Sequence, residues 1–316
     1  MKENLQDKKE LKATLDEFDK KFQQAITSHV GHSFLQKVES MKGQRTIQDS
    51  LFASNSQAAG HAKKLKMRLK EIAEQNEKEE TEYKKEEESA RGQFKMQLHS
   101  REKQRDFSSN RPPSYWPPDE PRRKFFMDFH SGTPFNLGGP TVTNVTSGFV
   151  GWSGSIPQFR NDDTGKEIIG SLNLLWQARI PRDGHYQLTT SVQELFVDVD
   201  YKLTGYGILG LDAALQISLG SGLHWYDGNA VHTVVSVREV NETKSTSLLP
   251  PLHGWFTRWY PLNDTVLSFF APGGTWVSYI VRLNIETWAE NGKVRVDIDD
   301  FWVPSNSPDH EICIAD

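Results

Sequence analysis

The sequence predicts an α + β multidomain chain: an N-terminal long-helix hairpin or coiled coil, followed by an antiparallel β-sandwich of jelly-roll-like form. Three observations predict it. Charge is unevenly divided: residues 1–110 hold 22 Lys/Arg and 19 Asp/Glu, leaving 15 and 23 of the chain's 37 and 42 for residues 111–316. All nine Trp lie beyond residue 115. The spacing of apolar residues also changes from three-and-four to two near residue 123, the change from helical to strand period. The implied units are a charged helical arm over 1–107, a Pro-rich hinge over 108–122, a sandwich over 123–305 and a tail over 306–316. At 316 residues the chain has room for about two cores.

In the arm, Leu11, Leu15, Phe18, Phe22, Ile26, Val30, Phe34, Val38 and Met41 fall on one helical stripe. Gly31 interrupts it, Gly43 is read as its C-terminal cap, and Thr46 as the N-cap of a second helical segment. That segment carries Ile47, Leu51, Ala58, Leu65, Leu69, Ile72, Phe94 and Leu98. No proline precedes Pro112, so nothing forces a break before Phe107. A stripe this narrow needs a partner, either the other helix of a hairpin or neighbouring copies of the arm. The hinge then holds five prolines between Ser108 and Pro121, favouring extended geometry. Tyr115 and Trp116 within it are expected to pack on the sandwich.

After Arg123 the pattern is that of strands. In Thr275–Trp288, Val277, Tyr279, Val281, Leu283 and Ile285 share one face, and Ser278, Arg282, Asn284 and Glu286 share the other. Asn291-Gly292 precedes a second alternating run, Lys293–Val303, and the two read as a closing β-hairpin. Leu172–Ile180, a Pro-Arg-Asp-Gly turn and Tyr186–Val192 read as a strand–turn–strand. Further strands are expected over Val145–Trp152, Leu195–Leu203, Ala213–Leu219, Val231–Val240, Trp255–Tyr260 and Thr265–Phe270. The segment WQARIPRDGHYQLTTSV, with GKVRVDIDDFWV near the end, resembles jelly-roll carbohydrate-binding modules and related lectin-like domains over residues 140–304. That resemblance implies a glycan-binding sandwich; residues 1–107 take no part in it.

The candidate binding residues are aromatic, because pyranose C–H faces are apolar and stack on flat rings. Trp225 and Tyr226, beside His224, lie in a segment read as loop-like. Trp255, Arg258, Trp259 and Tyr260 follow a Pro250-Pro251 turn, with Trp255 and Trp259 on one strand face. Asp297, Asp299 and Asp300, with Asp198 and Asp200, offer oxygen ligands to a structural calcium, although no complete calcium loop is present. No cofactor is expected otherwise.

For catalysis, Glu194, Asp198, Glu286 and Asp299 are carboxylates a glycosidase could use, none distinguished by spacing. No HExxH, GxSxG, P-loop or dinucleotide motif occurs. Neither half is basic enough for a nucleic-acid binder. Cys313, the one cysteine, excludes an intrachain disulfide. The first twenty residues have no apolar stretch of the signal-peptide kind, and no transmembrane segment is present, implying cytoplasmic synthesis and, for an external role, a signal-independent exit.

The leading reading is a non-enzymatic attachment or receptor-binding protein, of the kind a phage-like or toxin accessory would be. It self-associates through the arm and presents the sandwich to a glycan or cell-surface protein. The alternatives are a pore-forming component with a rearranging arm and a polysaccharide-active enzyme.

Overall fold

The computed structural model describes residues 5–53, 85, 89, 92, 124–135, 144–145, 149–153, 159–162, 164–190, 195–205, 212–240, 244–246, 252–260, 265–290, 292–304 and 310–315. The later part of the expected second helical segment and the whole hinge, with Tyr115 and Trp116, lie outside them. No helix among the described residues is long and apolar enough to cross a membrane.

Helix α1 spans Leu5–Val30 and α2 spans Phe34–Ala53. The apolar stripe is their buried face, and its partner among the described residues is a β-sheet of the same chain. Phe18, Phe22 and Ile26 pack with Leu175 and Ile280, and Phe34 and Val38 pack with Ala214 and Trp288. From Ile280 to Trp288 the sheet residues advance along one strand, so α2 continues in the direction of α1 and the two do not fold back as a hairpin. The break falls at 31–33 for local reasons. Gly31 adopts φ 77°, a left-handed conformation that ends helices and favours glycine. Ser33 and Gln36 then form a reciprocal capping box: the Gln36 N–H donates to Ser33 Oγ at 3.2 Å, and the Ser33 N–H to Gln36 Oε1 at 2.8 Å. The expected cap at Gly43 and start at Thr46 both fall inside α2, where the Thr46 hydroxyl donates to the Lys42 carbonyl at 3.0 Å.

Three antiparallel sheets follow. The sheet beneath the helices has the order β10-β9-β14-β6-β2: Val231–Val240, Ala213–Tyr226, Trp276–Ala289, Glu167–Arg179 and Asp128–Phe135, with β11 (Lys244–Thr246) also on β9. The opposite sheet has the order β12-β8-β15-β4-β3: Leu252–Tyr260, Leu195–Gly205, Gly292–Pro304, Phe149–Ser153 and Asn144–Val145, with β5 (Phe159–Asp162) also on β15. An end sheet has the order β1-β16-β7-β13: Lys124–Phe126, His310–Ala315, Gly184–Thr190 and Thr265–Ala271.

One core fills the space between them. Leu174, Trp176, Val281 and Leu283 meet Val197, Val199, Val296 and Ile298, and Tyr186, Leu188, Phe269 and Ile312 close one end. Burying one apolar face of each sheet against another is what makes this layering stable.

Several sequence readings are corrected here. β14 and β15 are not a hairpin: β14 is in register with β6 on one side and β9 on the other along nearly its whole length, so it has no free edge, and the chain crosses to the opposite sheet. The Pro181–Gly184 turn likewise joins two sheets, because β7 pairs with β13 and β16 and not with β6. The run 145–152 is two strands, with Asn144 and Val145 paired to Gly151 and Val150. The expected tail contains β16, whose Cys313 pairs by register with Lys124 and Gln187.

Candidate functional site

The outer face of the helix-covered sheet is a ladder of cross-strand rows. At its open end Arg179 pairs with Trp276 across β6 and β14, and Val231 pairs with Tyr226 across β10 and β9. Ser278 and His224 are partners two residues further in, so Trp276 and Tyr226 occupy the same face at the same end. Trp276 is 56% exposed and Tyr226 41%, although β14 is buried throughout the rest of its length. The next row runs Asp128, Gln177, Ser278, His224 and Thr233 across five strands. It is polar and internally bonded: Gln177 Nε2 donates to Ser278 Oγ at 3.0 Å, and His224 Nδ1 lies 2.8 Å from Thr233 Oγ1. Burial pulls the His224 imidazole down, opposed by the Glu17 carboxylate of α1.

Below that, Leu175, Ile280, Gly222 and Val235 form the apolar row on which Phe18 sits. Glycine is required at two positions: a Cβ at Gly220 would stand 2.4 Å from the Phe22 ring, and one at Gly222 2.7 Å from the Phe18 ring.

Three turns brace the open end. The Gly273 N–H donates to Asp183 Oδ1 at 2.7 Å, the Gly274 N–H to the Ile180 carbonyl at 2.7 Å, and Arg179 Nε to the Gly274 carbonyl at 3.2 Å. In the β9–β10 turn, Asp227 accepts the N–H groups of Asn229 and Ala230, each at 2.8 Å, and lies 2.6 Å from His232 Nε2. The two backbone bonds, then His232, hold its carboxyl down to about 2. Trp276 and Tyr226 therefore project from a fixed frame.

The residues singled out from the sequence do not meet in one place. His224, Trp225 and Tyr226 belong to β9 and not to a loop. Trp225 turns inward, stacked on His232 at 5.0 Å and tilted against Phe269 at 5.6 Å, at the margin of the core. Trp255, Arg258, Trp259 and Tyr260 belong to β12 of the opposite sheet; their side chains lie outside the described residues. Register sets Trp255 and Trp259 against Asp200 and Phe196, and Arg258 and Tyr260 against Val197 and Leu195.

The aspartates are also rearranged. A register shift between Ile298 and Asp300 sets Asp297 opposite Asp200 and Asp300 opposite Asp198. Asp297 instead accepts from Arg295 at 2.8 Å, and Asp300 from the Trp302 indole at 2.9 Å. No group of three or more His, Cys, Asp or Glu among the described residues is arranged to hold a metal ion. Glu286 is 2% exposed below α1, out of reach of a substrate while the helix is docked. Burial, then the charge of Glu167, pushes its carboxyl up to about 7.

Trp276 escaped the sequence reading, which placed it inside a strand pattern and went no further. The signal was its parity: it shares the polar face of Ser278, Arg282, Asn284 and Glu286.

No protein-family model and no curated protein matches the chain. Among solved structures, it is similar to TmCBM61 in complex with β-1,4-galactotriose at 12% identity, covering 58% of this chain and 89% of that one with a TM-score of 0.16. It is similar to the N-terminal cellulose-binding domain of Cellulomonas fimi β-1,4-glucanase C at 10% identity, covering 56% and 90% with a TM-score of 0.18. The family 11 carbohydrate-binding module of Clostridium thermocellum gives 14%, 59%, 98% and 0.14 for the same quantities. TM-scores this low fall short of a shared fold, and the functional reading rests on the geometry of the sheet.

Proposed function

We propose that the chain is a non-enzymatic binding protein whose sandwich engages a glycan at the open end of the helix-covered sheet. The observation that carries this reading is Trp276, an exposed indole at the head of an otherwise buried central strand. A large ring left in water on a rigid strand forgoes burial, and a flat indole is suited to stack on the C–H face of a pyranose. Tyr226 offers a second ring on the same face. Gln177, Ser278, His224 and Thr233 supply donors and acceptors one row away, the mixture of apolar surface and placed polar groups that sugar hydroxyls need. Of the residues expected from the sequence, Tyr226 belongs to this proposed site, while Trp225 stacks on His232 and packs against Phe269. The stripe of α1 and α2, buried within the chain, supports no assembly through these helices.

The test is affinity electrophoresis of the full chain through a panel of soluble polysaccharides, with Trp276→Ala beside the wild type. Trp276→Ala is expected to lose the retardation shown by the wild type while keeping its unfolding midpoint. Retardation unchanged by the substitution would overturn the reading, as would a wild type retarded by none of the panel.

A further inference from the structure

A sheet face that packs under a helix is ordinarily apolar. Below the Phe18 row, this one is not. Asn173 pairs with Arg282, Ser171 with Asn284 and Asn284 with Ser218, and Glu286 with Gln216, three successive rows over β6, β14 and β9. Each of these seven side chains is at most 2% exposed. Arg282 Nε donates to Asn173 Oδ1 at 2.6 Å, and Gln216 Nε2 to Glu286 Oε2 at 2.6 Å. In the middle row, the Ser218 hydroxyl is buried with no hydrogen-bond partner, while the Asn284 side chain interacts with the Glu286 carboxyl of the next row and draws its pKa down against the larger upward push of burial. Native structures rarely leave such a hydroxyl unpaired. Packing alone gives no reason for a polar strip at this depth.

What α1 sets against the strip is specific. The rings of Phe18 and Phe22 lie 5.1 and 5.3 Å from the Arg282 guanidinium. They rest on the flat floor left by Gly222 and Gly220. The Asp19 carboxylate accepts from Arg282 Nη1, and Gln23 Nε2 reaches Asn284 Oδ1 at 3.5 Å. Two flat apolar faces and a carboxylate on a guanidinium are the contacts that a short run of uronic-acid residues would make, with sugar hydroxyls in place of the Gln23 amide.

We infer that this strip is a second, covered binding surface for an acidic glycan of the uronic-acid class, and that α1 is a displaceable lid over it. Asp19 stands where a sugar carboxylate would go, and Phe18 and Phe22 stand where pyranose rings would lie. The inference rests on reading this sheet face as glycan-binding; it adds the chemical class of ligand and the means by which access is controlled.

The experiment uses the full chain, with polygalacturonate and its methyl ester as probes. The ester keeps the sugar rings and removes the charge. Phe22→Asp places a carboxylate against the glycine floor and is expected to release α1, read as faster tryptic cleavage after Lys20 and Lys21. Calorimetric affinity for polygalacturonate should then rise at least about tenfold over the wild type, the order that one charge-assisted hydrogen bond carries. The ester should gain less, and Arg282→Met in the Phe22→Asp background should remove the gain. A helix released without that gain overturns the site, equal gains for both polymers overturn the acidic class, and cleavage that stays slow overturns the lid.

Should Phe22→Asp fail to fold, the wild type decides: saturating polygalacturonate is expected to speed cleavage after Lys20 and Lys21, and unchanged or slower cleavage refutes the displacement. Trp276→Ala scores the open end separately, since its loss leaves the Arg282-dependent gain to be measured on its own.

Discussion

Two buried groups should give this protein opposing pH dependences that cancel until one is removed. His310 lies fully inside the core with its ring 4.7 Å from Trp176 and 4.8 Å from Tyr279, and neither ring nitrogen has a hydrogen-bond partner. Burial pushes its imidazole down from 6.5 to about 3. Glu286, beneath α1, moves the other way, from 4.5 up to about 7. Between pH 4.5 and 6.5 the unfolded chain therefore holds a proton on His310 that the folded chain lacks, and lacks one on Glu286 that the folded chain holds. Each contributes a slope of about 1.4 kcal/mol per pH unit. Stability contributed by neutral His310 is present above 6.5 and is lost as pH falls. Stability associated with protonated Glu286 is present below 4.5 and is lost as pH rises through about 7.

Over this window each effect amounts to about 3 kcal/mol, with opposite sign. Urea unfolding of the wild type, Glu286→Gln and His310→Phe across that range isolates them, because the remaining titrations are common to all three chains. Gln at 286 can still accept from Gln216 and cannot ionise, so its stability should climb relative to the wild type as pH rises. His310→Phe should decline relative to the wild type over the same range. Parallel curves for wild type and Glu286→Gln would refute the assignment of a buried, protonated carboxyl at the helix–sheet seam.

Other substitutions test the packing directly. Ser33→Ala removes one half of the capping box and should weaken the docking of α2 by about 1 kcal/mol, read from amide exchange over residues 34–42, whereas Ser33→Asp should preserve it. Gly220→Ala drives a Cβ toward both the Phe22 ring and the Ser236 carbonyl, and should cost about 1–3 kcal/mol in chemical unfolding. Trp225→Ala should lower stability by about 3 kcal/mol, since its ring fills the space between His232 and Phe269; a midpoint equal to the wild type would return Trp225 to the candidate ligand-binding residues.

The apolar faces were largely legible in the sequence, and the pairing of strands was not. Period alone marks which of Phe18, Phe22, Ile26, Phe34 and Val38 turn inward, and which of Val277, Tyr279 and Val281. It does not say against what. A helical stripe is satisfied equally by a helix, a second chain or a sheet, and here the sheet prepared for it with Gly220 and Gly222, residues whose role appears only when the helix is in place. The Asn291-Gly292 pair misled for a related reason: a turn signal fixes a change of direction but not the sheet in which the chain resumes. The capping box at Ser33 and Gln36 was readable in principle, and was hidden by an apolar stripe that runs across the break without a gap.

The polar face of β14 is unusual. Ser278, Arg282, Asn284 and Glu286 recur at every second position, a pattern that ordinarily faces water. In the folded chain all four are buried together with Ile280 and Trp288 of the same face, and Trp276 at its head is exposed. Two features of the face carry a physical cost, the unpartnered Ser218 hydroxyl and the indole in water at Trp276. The proposed glycan, with rings and hydroxyls in alternation along the face, would answer both.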